Sequence, residues 1–384
     1  MAVELYKYGG REQSYIKHEF LTQYLQAAAY KTLQGRSPIF NFVDAFAGPW
    51  RVSETDYSDA SFDQALQTLE AVRADLGRSG VAGLKVRFCF CEKRAEAVDQ
   101  LREYSKAHDS FEIHVFHGRF EDRLSDIASA CREGFTFAFI DPTGWDIQSE
   151  PVFEFLRTQN GEFLINFMSE HVNRHVTYSA VSESFGRFLA DPEWSKQFND
   201  LPEKWSNERR VLHLLREKLK DVGAATYVAD FPIQKPRENR VKMRLVLGTH
   251  SVKGLEVFRD TQEKVERREQ ETHEQLRSES GDQISLFTHD EIAAIQQQRA
   301  GIGCPAYQRQ AETRIVRQLS KSGNTTFHAL STDILENIPM RLTHIKSLVA
   351  EMRRRGVLYF DLPPRKRVPQ SNTNVSLVAS QTTD

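Results

Sequence analysis

No stretch of this chain comes near the roughly 20 consecutive apolar residues that a membrane span requires. The N-terminus also lacks the charged-then-apolar pattern of a secretory leader, so a location in the cytoplasm and no membrane partner are expected. Cysteine is scarce: Cys89, Cys91, Cys131 and Cys304 are the whole set. Cys89 and Cys91 lie two apart on a strand-like run and share a face, but no Cys-x-x-Cys pair or nearby His completes a metal set. Buried thiols in a reducing compartment are the expected reading, and no metal site is predicted. A strong charge of either sign is missing as well, since 51 Lys and Arg face 53 Asp and Glu.

What is present is a chain of 384 residues with 40% hydrophobic content, enough for a core of a little over 200 residues plus a smaller second unit. The stretch 39–50, Ile-Phe-Asn-Phe-Val-Asp-Ala-Phe-Ala-Gly-Pro-Trp, begins as an apolar run dense enough for a strand buried on both faces. It then breaks at an acid, small residues, a Gly and a Pro. In an open α/β sheet the turn after the first strand is where a nucleotide-like ligand meets backbone N–H groups. Asp44 ends the run, and Ala45, Ala47 and Gly48 permit close approach.

Further apolar runs at 85–91, 113–116, 135–140 and 163–167 read as strands, and the segments 62–76, 94–107, 119–131 and 150–157 read as helices between them. Such alternation predicts a parallel, doubly wound sheet. The second run ends in Glu92, where an acid commonly bonds a ribose hydroxyl. The fourth runs into Asp141-Pro142-Thr143-Gly144-Trp145. A helix at 208–222 and two strands at 225–231 and 242–249, joined by a polar loop, predict a closing hairpin with an antiparallel last strand.

The motifs Phe-Val-Asp-Ala-Phe-Ala-Gly-Pro (42–49), Cys-Glu (91–92) and Phe-Ile-Asp-Pro-Thr-Gly (139–144) resemble those of class I S-adenosylmethionine methyltransferases. Together with the helix at 17–25 and the late segments 244–247 and 253–258, they resemble more narrowly the three-Cys-motif partner protein family, over roughly residues 14–270. The resemblance implies a Rossmann-like methyltransferase domain, S-adenosylmethionine as cofactor, and a partner similar to radical S-adenosylmethionine enzymes, whose cysteines give the family its name. It implies cofactor contacts at Asp44, Phe46, Ala47, Gly48, Pro49, Glu92, Asp122 and Asp141. Trp50 and Arg119 depart from the pattern: another Gly usually follows the first turn, and an acid often meets the adenine amine after the third strand.

In amino-methyltransferases of nucleic acid, an acid or amide, two Pro and an aromatic follow the fourth strand, where the first accepts a hydrogen bond from the target amine and the last stacks on a flipped base. Asp141, Pro142 and Trp145 are the matching catalytic candidates, with Asp141 as polariser and Trp145 as platform. The other reading of Asp141 is a turn cap, since Asp-Pro commonly starts turns.

The early helix at 14–32 is expected to pack on the sheet or cover the cleft; Lys17 and His18 read as a solvated helix face, with a functional role as the other reading. Segment 169–205 is long for a connection and is expected to rise from the carboxyl ends of the strands as a helical insertion over the substrate. There His171 and His175, four apart, read as helical packing or polar substrate contact rather than as metal ligands.

The domain reading is therefore an N-terminal helical segment (1–38), a methyltransferase-like domain (39–260), a charged linker (261–305), a basic module (306–367) and a disordered tail (368–384). In the linker, Gln283-Ile-Ser-Leu286-Phe287 resembles the pentapeptide by which bacterial DNA-processing proteins dock on the sliding clamp, with Gln283, Leu286 and Phe287 as contacts. The same apolar residues also fit a plain anchor to the linker's own domain.

The basic module has a winged-helix pattern: helices near 311–320, at 327–330 or 331–337, and at 340–355, then a short strand at 356–360. From 306 to 367 there are twelve Lys and Arg against five acids, a local charge of +7 that points to DNA or RNA, with protein docking as the other reading. Arg341, His344, Lys346, Arg353, Arg354 and Arg355 on the third helix are the candidate contacts.

Overall fold

Strands apolar on both faces are stable only in a sheet covered on both sides, and the chain builds one. The computed structural model describes residues 8, 11–35, 37–48, 57–142, 144, 147–176, 178, 181–235, 238–279, 301–362 and 366–378, with the backbone alone at 238–239 and 270–279. Pro49, Trp50, Trp145 and the clamp-like Gln283, Leu286 and Phe287 lie outside the described residues. The chain divides into two compact units, Met1–Gly254 and Leu255–Asp384.

In the first unit α1 (Glu12–Leu33) precedes β1 (Ile39–Asp44), α2 (Ser61–Arg78), β2 (Lys85–Glu92), α3 (Ala95–Ala107), β3 (Glu112–His117), α4 (Phe120–Ala130), β4 (Phe135–Ile140), α5 (Ser149–Thr158) and β5 (Gly161–Phe167). Three short helices follow, α6 (Ser169–His175), α7 (Ser182–Leu189) and α8 (Trp194–Asp200), then α9 (Asn207–Asp221), β6 (Tyr227–Lys235) and β7 (Glu238–Thr249). The strand order is β3-β2-β1-β4-β5-β7-β6. The first five strands are parallel, and β7 runs antiparallel to both β5 and β6. This is the doubly wound sheet with a reversed strand that the sequence predicts.

Alternation sorts each strand's side chains to the two faces. Val43, Cys89, Ala138, Ile140, Ile165 and Phe167 belong to the core under α4, α5, α7 and α9. On the opposite face Phe20 of α1 stacks on Phe231 at 5.2 Å, and Tyr24 lies 5.6 Å from Phe137. The thiols of Cys89 and Cys131 are 3.7 Å apart inside the first core, and both residues are buried. Close packing extends to Gly248, paired with Phe163 across β7 and β5, where an added Cβ would lie 1.9 Å from the Phe163 ring.

The hairpin differs from expectation. Most of the segment read as a polar loop between β6 and β7 is strand, because Gln234 pairs with Val241 and Lys235 with Glu238 through a register shift.

In the second unit α10 (Val252–Glu279) enters from the first, followed by α11 (Pro305–Ser322), β8 (Asn324–Thr326), α12 (Phe327–Asn337), α13 (Leu342–Arg354), β9 (Leu358–Tyr359) and β10 (Asn374–Leu377). Ile315, Leu319, Leu330, Ile334, Ile345, Val349 and Met352 form its apolar interior.

Two expectations are corrected here. Of the segment read as a charged linker, residues 261–279 are helix, and Thr261, Gln262, Val265 and Glu269 on α10 are buried rather than solvated. A polar helix can be buried when its polar groups find partners, and Glu266 accepts from the Ile302 backbone N–H at 2.6 Å. Nor is 368–384 simply a tail, because β10 pairs with β8 on one side and β9 on the other. Val375 is fully buried there, which gives a Ser- and Asn-rich strand enough apolar contact to stay ordered.

Candidate functional site

An open α/β sheet offers a crevice outside the carboxyl ends of its strands, at the point where the strand order reverses. Here β1 has β2 on one side and β4 on the other, so that point lies between β1 and β4. Asp44 is the last residue of β1 and Asp141 the first after β4.

Asp44 is fully buried. It accepts from the Phe46 backbone N–H at 3.1 Å and from the Ser61 hydroxyl at 2.7 Å. It thus ties the turn after β1 to the start of α2. Burial pushes its carboxyl up to about 7; the hydrogen bonds from Ser61 and Phe46 oppose that, the charge of Asp141 adds to it, and the Lys17 ammonium opposes it.

Asp141 is gripped from two directions. Lys17 of α1 donates to Oδ2, and Asn166 near the end of β5 donates to Oδ1 at 2.6 Å. The other amide atom, Asn166 Oδ1, is buried and has no hydrogen-bond partner among the described residues, and the same holds for Ser169 Oγ two residues after β5. A buried acceptor left unpaired costs about 1–3 kcal/mol, and such atoms are uncommon enough to ask what pairs with them.

Lys17 and His18 therefore do not lie on a solvated face. Both are buried, and His18 Nδ1 meets the Tyr8 hydroxyl at 2.9 Å. Burial holds the His18 imidazole well below its ordinary value, with Lys17 and Arg11 adding to the effect, so it is neutral. Lys17, Asn166, Ser61 and Ser169 are the site residues that sequence reading missed.

The other expected contacts are distributed as follows. The backbone N–H groups of Ala45 and Ala47 are used internally, donating to Phe139 O at 3.0 Å and Cys91 O at 2.9 Å. With the Phe46 N–H on Asp44, three donors of the turn hold its own shape rather than face a ligand. The Phe46 ring lies 6.4 Å from Phe120, and Gly48 is half-buried. Glu92, at the end of β2 beside β1, is buried and accepts from the Arg94 backbone N–H at 2.8 Å. Asp122 is exposed on the first turn of α4. Its neighbour Glu121 accepts from the Gln148 N–H at 3.0 Å and pairs with Arg119. Pro142 follows Asp141 with its ring buried, against Ile140 and Ile147.

The carboxyl edge carries a second polar group. Lys235, Arg240 and Arg174 all meet Glu170 Oε1, the first two at 2.9 and 3.1 Å.

On the second unit the candidate basic residues are largely answered by acids. Arg341 pairs with Asp260 and Glu263 of α10, Arg354 with Glu351, and Arg355 with Glu312. Arg353 lies 4.9 Å over the Phe360 ring, while His344 and Lys346 are half-buried. The +7 counted on 306–367 is offset within the same unit, and half of the offset comes from α10, whose residues 255–279 carry eight Asp and Glu against five Lys and Arg. Over 255–384 there are eighteen Lys and Arg against seventeen Asp and Glu, a net charge of +1.

The strand order is that of a doubly wound, Rossmann-like sheet closed by an antiparallel hairpin. No family model and no curated protein matches the chain. Among solved structures it is similar to yhhF of Escherichia coli, named as a methyltransferase, with 11% identity and a TM-score of 0.25 over 59% of this chain and 87% of that one. It is similar to a protein from Staphylococcus aureus named as a caffeoyl-CoA O-methyltransferase, with 9% identity and a TM-score of 0.28 over 58% and 81%. A loganic acid methyltransferase with SAH gives 9% identity and a TM-score of 0.29 over 64% and 80%. Likenesses this distant add nothing to what the strand order gives.

Proposed function

We propose that this chain is an S-adenosylmethionine-dependent methyltransferase acting on nucleic acid, in DNA modification, repair or phage defence, alongside a partner similar to radical S-adenosylmethionine enzymes. The observation that carries the reading is the cluster at the reversal of strand order. Two carboxylates, Asp44 and Asp141, stand there against one ammonium, Lys17, with the buried Asn166 oxygen beside them unpaired among the described residues.

That donor set fits the cofactor. Both its sulfonium and its amino group are cationic, and the excess carboxylate supplies the opposite charge in a site of low dielectric. Asp44 and Glu92 at the ends of β1 and β2 would hold it, with the small Ala45 and Ala47 allowing close approach. When bound, the cofactor supplies a methyl group on an electron-poor sulfur. Asp141 would accept a hydrogen bond from the target amine while Lys17 and Asn166 fix its orientation. Each carboxylate oxygen has two acceptor sites, so both can take a further donor.

The order helix, strand, two helices and a strand pair in the second unit supports a winged-helix reading of it, with exposed Arg353 and Arg354 available for contact. The clamp-like segment adds a tether to the sliding clamp, for which a pull-down with the clamp should disappear in Leu286→Ala/Phe287→Ala.

Calorimetry on the full chain tests the central reading. Because Asp44 titrates near 7, binding of a cation at pH 7 is expected to release roughly half a proton, read from the dependence of the heat on buffer ionisation enthalpy. Asp141→Ala should weaken cofactor binding, since the excess carboxylate goes with it, and methyl transfer to DNA or RNA should fall by about a hundredfold or more. Absence of cofactor binding by the wild type would instead favour a silent fold serving as a DNA- or partner-binding scaffold, the reading to which Trp50 and Arg119 lean.

A further inference from the structure

The helix after β5 turns rings and a guanidinium to its outer side. Val172 and Val176 turn inward, while His171, Arg174, His175 and Tyr178, spaced three and four apart, lie on the other side. Tyr178 is 58% exposed. The His175 ring lies 5.8 Å from Tyr178 and 6.1 Å from His171, so the three rings form a row that starts on α6 and ends just past it. A solvated helix face normally carries charges; a row of flat rings with a guanidinium between them is a different surface.

The β6–β7 hairpin borders that row. Phe167 ends β5 opposite Arg244, so the residues of β7 before 244 extend past the carboxyl edge of the parallel strands. This is the edge on which Asp44 and Asp141 sit. From the extension Arg240, and from β6 Lys235, reach Glu170 on α6, where Arg174 also arrives. Arg174 and Arg240 are 57% and 54% exposed at their side chains, and Glu170 serves all three cations with one oxygen. The carboxylate sets the spacing of the cations; Arg174 and Arg240 keep more than half of their side-chain surface in solvent, while Lys235 lies largely covered beneath them.

We infer that this rim of α6 and the β6–β7 hairpin binds a single strand of nucleic acid. Bases stack on His175 and Tyr178, and phosphates contact Arg174 and Arg240, which leads the strand toward Asp141. Rings stack only on bases that are already unpaired, and guanidinium groups suit phosphate, so the combination selects a single strand over a duplex. The position of the rim beside the reaction site rests on the methyltransferase reading; the binding itself does not.

Fluorescence anisotropy with labelled oligo-dT and oligo-U on the full chain tests it. Tyr178→Ala is expected to weaken binding by about fivefold or more, and Tyr178→Phe to keep it, since the ring face is what stacks. Arg174→Ala and Arg240→Ala should each lower the slope of log affinity against log salt by about 0.7, the signature of one lost phosphate contact on a single strand. Calorimetric affinity for S-adenosylmethionine should be unchanged in all four. Wild-type affinity in Tyr178→Ala, or an unchanged slope in both arginine variants, overturns the inference. So does polyglutamate binding in place of oligonucleotides, which would mark the rim as a protein contact. Loss of strand binding in a chain that never binds the cofactor would uphold the rim and remove the methyltransferase reading.

Discussion

Asp44→Asn is expected to melt at a higher temperature than the wild type above pH 7 while its affinity for S-adenosylmethionine falls about tenfold or more. Burial raises this carboxyl from its ordinary 3.8 to about 7. The folded protein therefore holds a proton that the unfolded chain has lost, between about pH 4 and pH 7. Stability falls as pH rises wherever the folded state binds more protons. The wild type thus loses stability across that window and levels off above it. The shift sets an upper bound of roughly 4 kcal/mol on the loss, reduced in practice by hydrogen bonds that the neutral amide makes less well. Asn keeps an oxygen for the Phe46 N–H, and the Ser61 hydroxyl can rotate to accept from its amide. Differential scanning calorimetry from pH 4 to pH 9 should show the two proteins diverging up to pH 7 and running parallel beyond. Equal melting temperatures at pH 8 would mean that Asp44 is not strained by its burial, and the proton release expected on cofactor binding would go with it.

Arg259→Met should cost the second unit about 3 kcal/mol or more, from the carbonyls and amide left without their donor. Arg259 is among the largest fully buried side chains of the chain. Its guanidinium donates to Leu335 O at 2.8 Å, Glu336 O at 3.2 Å and Gln262 Oε1 at 2.6 Å. The two carbonyls belong to the last turn of α12, where a helix has no internal donors left and its dipole is negative. A cation at that end satisfies both needs at once. Amide exchange across Phe327–Asn337 should accelerate by about a hundredfold if the unit opens through α12. Exchange at the wild-type rate would show that water replaces the guanidinium without loss.

The elements of the sheet were legible because buried parallel strands are written as continuous apolar runs: 135–140 reads as a strand and is β4, Phe135–Ile140. The reversed β7 was legible too, from two strand runs set close together. Of the site, the strand ends could be found, since Asp44, Glu92 and Asp141 close apolar runs. Lys17 could not, because its partner lies 124 residues away and α1 buries polar residues on several sides. Gln13, Lys17 and Tyr24 on that helix find Lys242, Asp141 and Glu162, pairings that exist only once the sheet is assembled. Charge misled for the related reason that a run of arginines gives no hint of the acids folded against it. Arg341 shows this, with Asp260 and Glu263 as partners.

The three-stranded sheet of the second unit has β10 in its middle, although β10 comes last in the chain. While the protein is being synthesised, β8 and β9 can only wait, edge to edge with nothing, until residues 374–377 leave the ribosome. Shortening the chain by only the segment after 367 would withdraw the strand that joins the other two.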